Sequence, residues 1–141
     1  MERSVARVEG NDTHKRERWE RIVLEAAKQS GRAHVPQVHA VRSLPQTLQL
    51  LEQGGYDAVY LAWEEEGELR LSEALRRLLL QTPKPRAVAI VIGPEGGVTP
   101  AEAEQLRAIG ATAVTLGPRI LRTETAGLCA LSVTMGALGE M

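Results

Sequence analysis

A single cysteine, Cys129, leaves the chain of 141 residues with no internal disulfide. Its apolar setting, AGLCALSV, marks it as a small buried core residue. A reducing cytoplasm suits such a chain, and we expect a cytoplasmic protein. The start, MERSVARVEG, lacks the apolar h-region of a secretory signal. Long hydrophobic runs are also lacking: the longest uncharged stretch, residues 125–139, is shorter than the roughly 20 residues a membrane span needs and reads as a buried helix. Neither sign of charge dominates, with 17 Lys and Arg against 18 Asp and Glu and a net charge of −1. Charge alone therefore points to no nucleic acid, because phosphate contacts usually leave a basic excess.

Several chemical signatures are missing too. Neither G-x-G-x-x-G nor G-x-x-x-x-G-K-[ST] occurs, which disfavours a dinucleotide or a nucleoside triphosphate. No G-x-S-x-G nucleophile elbow exists. His14, His34 and His39 have no metal-ligand spacing with each other or with Cys129, so no metal is expected. Internal repeats and low-complexity segments are absent. With 43% hydrophobic and 25% charged residues the chain has the make-up of one folded domain over residues 1–141.

What is present is an alternation of helix and strand patterns. NDTHKRERWERIVLEAAKQSGR opens with cap-type Asp12 and Thr13, sets Trp19, Ile22, Val23, Ala26 and Ala27 at helical spacing, and ends at Gly31. SLPQTLQLLEQGG has Ser43 as cap, Pro45 in the first turn and two glycines as a stop. DAVYLAW reads as a strand, LSEALRRLLLQ as a helix from Ser72, and AVAIVIG as a fully buried parallel strand. TPAEAEQLRAIG is a helix with Thr99 as N-cap, Pro100 at N1, Glu102 closing a capping box and Gly110 as stop. TAVTLG is a further strand, and residues 123–138 form a last helix. This order predicts an α/β fold, a parallel sheet with helices on both faces.

Ligands of such sheets sit beyond the carboxyl ends of the strands. That rule selects the loops after Leu61 and Ala62, after Ile92, and after Leu116. In IGPEGGVTP the glycines permit close approach to the backbone, Pro94 stiffens the turn, and Glu95 suits a cationic or hydroxyl-bearing ligand. A plain turn with a solvated glutamate explains the same residues. In LGPRILRTETAG, Ile120 and Leu121 offer an apolar wall, and helical spacing would set Arg119 and Arg122 one turn apart, facing one anion. Thr123 as cap and Glu124 in the first turn account for half of that run as a helix start. Arg18, Glu25, Gln29 and Arg32 form a polar stripe on the first helix, fit to border a cleft or to be a solvated edge.

Together, RWERIVLEAAKQSGR, VIGPEGGVTPAEAEQL and LGPRILRTETA resemble the bacterial RsmE-type ribosomal RNA methyltransferases of the SPOUT superfamily, from about Glu2 to the C-terminus. The resemblance implies methylation of uridine N3 in small-subunit (16S) rRNA and a C-terminal trefoil knot. It further implies S-adenosyl-L-methionine (SAM) as cofactor, a homodimer through the knot region, and rRNA or the 30S subunit as partner. Members usually carry an N-terminal PUA-like barrel, and here the pattern starts inside the methyltransferase part. The motifs also fit a non-catalytic SAM-binding or dimerisation fragment or paralogue, or a SPOUT enzyme acting on another RNA, such as a tRNA ribose.

By motif, the resemblance implies cofactor contacts at Leu61 and Ala62, at Ile92, Gly93, Pro94, Glu95, Gly96 and Gly97, and at Leu116, Gly117, Ile120, Leu121, Thr125 and Ala126. Arg18, Gln29, Arg32 and Arg119 would face RNA. Uridine N3 must lose a proton, so the site needs a base or a cation that stabilises the uracil anion. A permanently charged, planar guanidinium suits the second task. Arg122 is the first candidate, Arg32 the second, and Glu124 an orienter.

Overall fold

The computed structural model describes residues 12–141; the irregular start expected before the first helix lies outside them. Among the described residues two compact units separate, residues 12–43 and residues 44–141. The first holds helix α1 (Asp12–Ser30) and an irregular segment. The second holds α2 (Leu44–Gln53), β1 (Ala58–Ala62), α3 (Leu71–Gln81), β2 (Val88–Ile92), α4 (Pro100–Ala108), β3 (Thr112–Val114) and α5 (Thr123–Ala137).

Helix α1 stops at Gly31, whose φ of 69° suits glycine. The Gly31 N–H donates to Lys28 O at 3.2 Å and the Arg32 N–H to Ala27 O at 3.0 Å, closing the last turn. Of the expected apolar stripe Ala27 is buried, while Trp19 and Ile22 are exposed.

The three strands are parallel, in the order β2-β1-β3. Ala62 pairs with Ile92 on one side and Val114 on the other, so the strands end level. The chain steps from β1 through α3 to β2, then through α4 back across β1 to β3. That reversal makes the carboxyl end of β1 a topological switch point.

Strand alternation divides the core between two faces. Val59 and Leu61 pack with Leu51, Val98, Ala103 and Leu106; Tyr60 packs with Leu71, Ala74, Leu75, Val114 and Ala130. Helices thus cover both faces, as the alternation predicts. Leu61, Leu75 and Leu106 are fully buried, each contributing roughly 2 kcal/mol by transfer from water.

Some local expectations change. AVAIVIG does form β2, but its five residues are all half-buried, and among the described residues it is the outer strand of the sheet. A branched apolar run reports helices on both faces and not the strand's place in the sheet. Helix α3 begins at Leu71, not Ser72, because Thr115 N–H donates to Leu69 O and Leu71 N–H to Thr115 O, drawing the chain alongside β3 straight into the helix. Thr99 caps α4 in a capping box, as predicted. The cap of α5 is Arg122, with no side-chain bond, and Thr123 is already helical. Cys129 is half-buried. The α5 helix hides only a stripe of Ala126, Ala130 and Thr134, while Leu128 and Leu131 are exposed. No described helix is long and apolar enough to cross a membrane.

Candidate functional site

Because the three strands end level, the loops that leave them meet. They enclose a shallow-mouthed cleft of about 140 Å³. The loop after β1 contributes Trp63 and Glu64, the loop after β2 contributes Gly93, Pro94, Gly97 and Val98, and the loop after β3 contributes residues 115–121. Thr123 and Ala126 at the start of α5 complete the wall.

The second loop is a tight turn closed by Gly97 N–H donating to Pro94 O at 2.8 Å. Gly97 has a φ of 78°, and a Cβ there would come within 2.6 Å of Glu64 Oε1. At Gly93 a Cβ would come within 2.8 Å of Val98 Cγ2. At Gly93 glycine lets the turn lie against Val98, and at Gly97 it permits the positive φ. The Trp63 indole N–H donates to Val98 O at 3.0 Å, tying the first loop to the second. The Arg107 guanidinium lies 5.1 Å from the centroid of the Trp63 ring, a cation–π distance. Arg107 also reaches Glu66 Oε2 at 3.8 Å. Glu66 Oε1 in turn accepts the backbone N–H groups of Glu68 and Leu69. The first loop is thereby fixed against α4.

In the third loop Thr115 Oγ1 donates to Gly117 O at 3.0 Å and accepts from Gly117 N–H at 3.2 Å. Gly117 has a φ of 127°. Residues 118–122 then run outside any helix, with Arg122 extended at φ −62° and ψ 151°. Arg119 and Arg122 therefore do not share the helical spacing expected of them. An irregular chain turns the loop into α5 before helical hydrogen bonding starts.

The walls are apolar at Ile92, Pro94, Val98, Leu116 and Leu121, with backbone groups exposed between them. Glu64 is the one acidic and Arg119 the one basic side chain among the described lining residues. Such a cleft suits a small molecule with a flat apolar part and a charged arm. Among the described residues no group of His, Cys, Asp and Glu is gathered as for a metal ion.

Of the residues expected to touch a cofactor, Ala62, Ile92, Gly93, Pro94, Gly97, Leu116, Gly117, Ile120, Leu121 and Ala126 border the cleft. Leu61 does not: strand alternation turns it into the core among Val59 and Leu106. Glu95 is exposed on the tip of the turn, Gly96 lies beside it outside the wall, and Thr125 is exposed on α5. Arg119, expected to face RNA, is part of the wall. Arg122 and Glu124 are exposed at the start of α5, each next in sequence to a lining residue. Arg18, Gln29 and Arg32 are exposed within the first unit, where Glu25 pairs with Lys28 at 2.9 Å. Trp63, Glu64, Val98, Thr115, Pro118 and Thr123 line the cleft beyond the expected set. The strand-end rule reaches the first two when followed one and two residues past Ala62.

Residues 1–135 match the RNA methyltransferase domain family. The chain is 44% identical over 131 residues to ribosomal RNA small subunit methyltransferase E of Bacillus subtilis strain 168, an alignment covering 92% of this chain and 50% of that protein. The protein of that name from Mycobacterium bovis is 37% identical over 125 residues, covering 88% of this chain and 44% of the relative. Thus the chain spans about half the length of the curated relatives it matches. Among solved structures, ribosomal RNA small subunit methyltransferase E from Neisseria gonorrhoeae bound to S-adenosyl methionine superposes with a TM-score of 0.70 at 30% identity, covering 93% of this chain and 51% of that one. A Legionella pneumophila structure described as a methyltransferase with bound SAM gives a TM-score of 0.77 at 28% identity, covering 94% of this chain and 50% of the other.

Proposed function

The chain belongs to the RNA methyltransferase domain family, and from that premise we propose that it is the SAM-dependent catalytic domain of an enzyme that methylates uridine N3 in 16S rRNA. On this reading residues 1–141 are one SPOUT-type domain with a C-terminal knot, acting as a homodimer on the 30S subunit in the cytoplasm. The observation that carries it is the glycine-lined cleft where three strands end, in a chain that superposes on two SAM-bound methyltransferases.

Bound SAM supplies an electrophilic methyl group on a sulfonium. The chain's part is to hold and orient. Ile92, Leu116 and Leu121 would offer apolar surface to a purine, and the turn carrying Gly93 and Gly97, which lines the same cleft, would face the rest of the cofactor. Arg122, exposed one residue beyond the lining residue Leu121, would stabilise the uracil anion formed as N3 loses its proton. Its guanidinium stays charged and would donate to O2 or O4, which share the anion's charge, leaving N3 open to the methyl group. Glu124 would orient it, with Arg32 as a second cation and Arg18, Gln29 and Arg119 as contacts to RNA.

Incubation with tritiated SAM and 30S subunits, followed by mapping of the labelled nucleotide, tests the reading. Label at N3 of one 16S uridine is the expected result. SAM binding without transfer identifies a cofactor-binding module instead, and label on a tRNA ribose identifies another specificity.

A further inference from the structure

Two neighbouring carboxylates on the loop after β1 differ in what they do. Glu66 is committed: Arg107 and two backbone N–H groups hold it. Glu64 forms neither an ion pair nor a hydrogen bond among the described residues, yet it is the one acidic side chain among those lining the cleft. Its backbone neighbours on both sides are fixed. Trp63, the preceding residue, is pinned by its indole bond to Val98 O and by the Arg107 guanidinium. On the other side, Glu64 Oε1 lies 2.6 Å from where a Cβ of residue 97 would be, so the glycine leaves space beside the carboxylate.

Glu64 is exposed, so water satisfies it in the free chain, and its carboxylate is an available acceptor for a cationic N–H donor bound at the edge of the apolar cleft. Resting on the cofactor reading given above, we propose that Glu64 binds the ammonium group at the amino-acid end of the cofactor and thereby selects ligands that carry it. The sulfonium is the poorer partner on two grounds. It has no N–H to donate. Its charge also disappears as the methyl leaves, so an adjacent carboxylate would stabilise the reactant more than the transition state and slow the reaction. The ammonium keeps its charge throughout, and binding it costs the chemistry nothing.

Titration calorimetry of the full chain and of Glu64→Gln with SAM, S-adenosylhomocysteine and 5′-methylthioadenosine tests this. All three share the adenosine and sulfur, and only the first two carry the ammonium. The substitution should weaken SAM and S-adenosylhomocysteine alike by roughly tenfold, as expected for losing one charge-assisted hydrogen bond. Methylthioadenosine should stay within about twofold, and Glu64→Asp, which keeps the charge, should recover part of the loss. Unchanged SAM affinity, a loss confined to SAM, or an equal loss for all three ligands overturns the assignment. If the unaltered chain binds none of the three, the cofactor reading itself fails and this inference goes with it.

Discussion

A methyl group added at residue 93 and one added at residue 97 meet different obstacles. In Gly93→Ala the new carbon faces Val98 Cγ2 at 2.8 Å and Val98 N at 3.4 Å, and Val98 is only 3% exposed. Neither side can yield, so we expect a loss of about 1–3 kcal/mol in urea unfolding, the usual cost of overpacking. In Gly97→Ala the near atom is the flexible tip of Glu64, and the cost is the left-handed φ of 78°, about 1 kcal/mol. Gly97→Asn should then be milder than Gly97→Ala, since asparagine visits that region more readily. Equal losses for Ala and Asn would place the cost in the contact instead. Asp57 yields a pH prediction. Its carboxylate accepts the N–H groups of Ala87 at 3.0 Å and Arg86 at 2.6 Å, and these bonds hold its pKa below the ordinary carboxylate value. A depressed folded pKa stabilises the protein above the unfolded value, near 3.9, and that contribution is lost as pH falls from there through the folded value. Below about pH 4 the unaltered chain should therefore lose stability more steeply than Asp57→Asn in denaturant titrations; parallel acid limbs would remove Asp57 from that role.

Two helix starts give opposite forecasts. At α4 the Thr99 hydroxyl accepts from Glu102 N–H at 3.2 Å while Thr99 N–H donates to Glu102 Oε2 at 2.9 Å. Thr99→Ala should cost about 1 kcal/mol. At α5 the cap residue Arg122 makes no such bond, so Arg122→Ala should leave unfolding within about 0.5 kcal/mol of the parent. A drop as large as that of Thr99→Ala would mean that Arg122 supports the helix, and its loss in an activity assay would not report on chemistry. The contrast also marks how far the sequence is legible at this scale. TPAEAEQLRAIG contains its capping box as a local pattern, and the structure repeats it. TLGPRILRTETAG has cap-type Thr123, but what decides is the path of the chain out of β3, where Thr115 is pinned by Leu69 and Leu71 from across the fold. Likewise the loops of the cleft follow from strand ends, whereas the outer position of β2 among the described strands and the inward turn of Leu61 depend on strand order and register. No periodicity within a single segment carries either.

For the whole molecule, the telling surface is the outer side of α5. Ala126, Ala130 and Thr134 recur every fourth residue and face the core, which turns Leu128 and Leu131 outward, 69% and 55% exposed. Ile120, just before the helix, is 83% exposed. Large apolar side chains grouped on one helix mark a contact surface more often than isolated ones do, and the proposed homodimer accounts for them. In a two-fold interface each leucine counts twice. Burying four leucines at roughly 1.5–3 kcal/mol each is a gross gain that Leu128→Lys with Leu131→Lys would remove, weakening the dimer by at least on the order of a thousandfold. Sedimentation equilibrium should show the parent as a dimer and the double variant as a monomer at the same micromolar concentration. The variant should keep its helical circular dichroism, because neither leucine belongs to the core of its own chain. If the parent sediments as a monomer across the micromolar range, the dimer is wrong and the exposed leucines must serve another partner. If the double variant remains dimeric, the chains meet on a different surface.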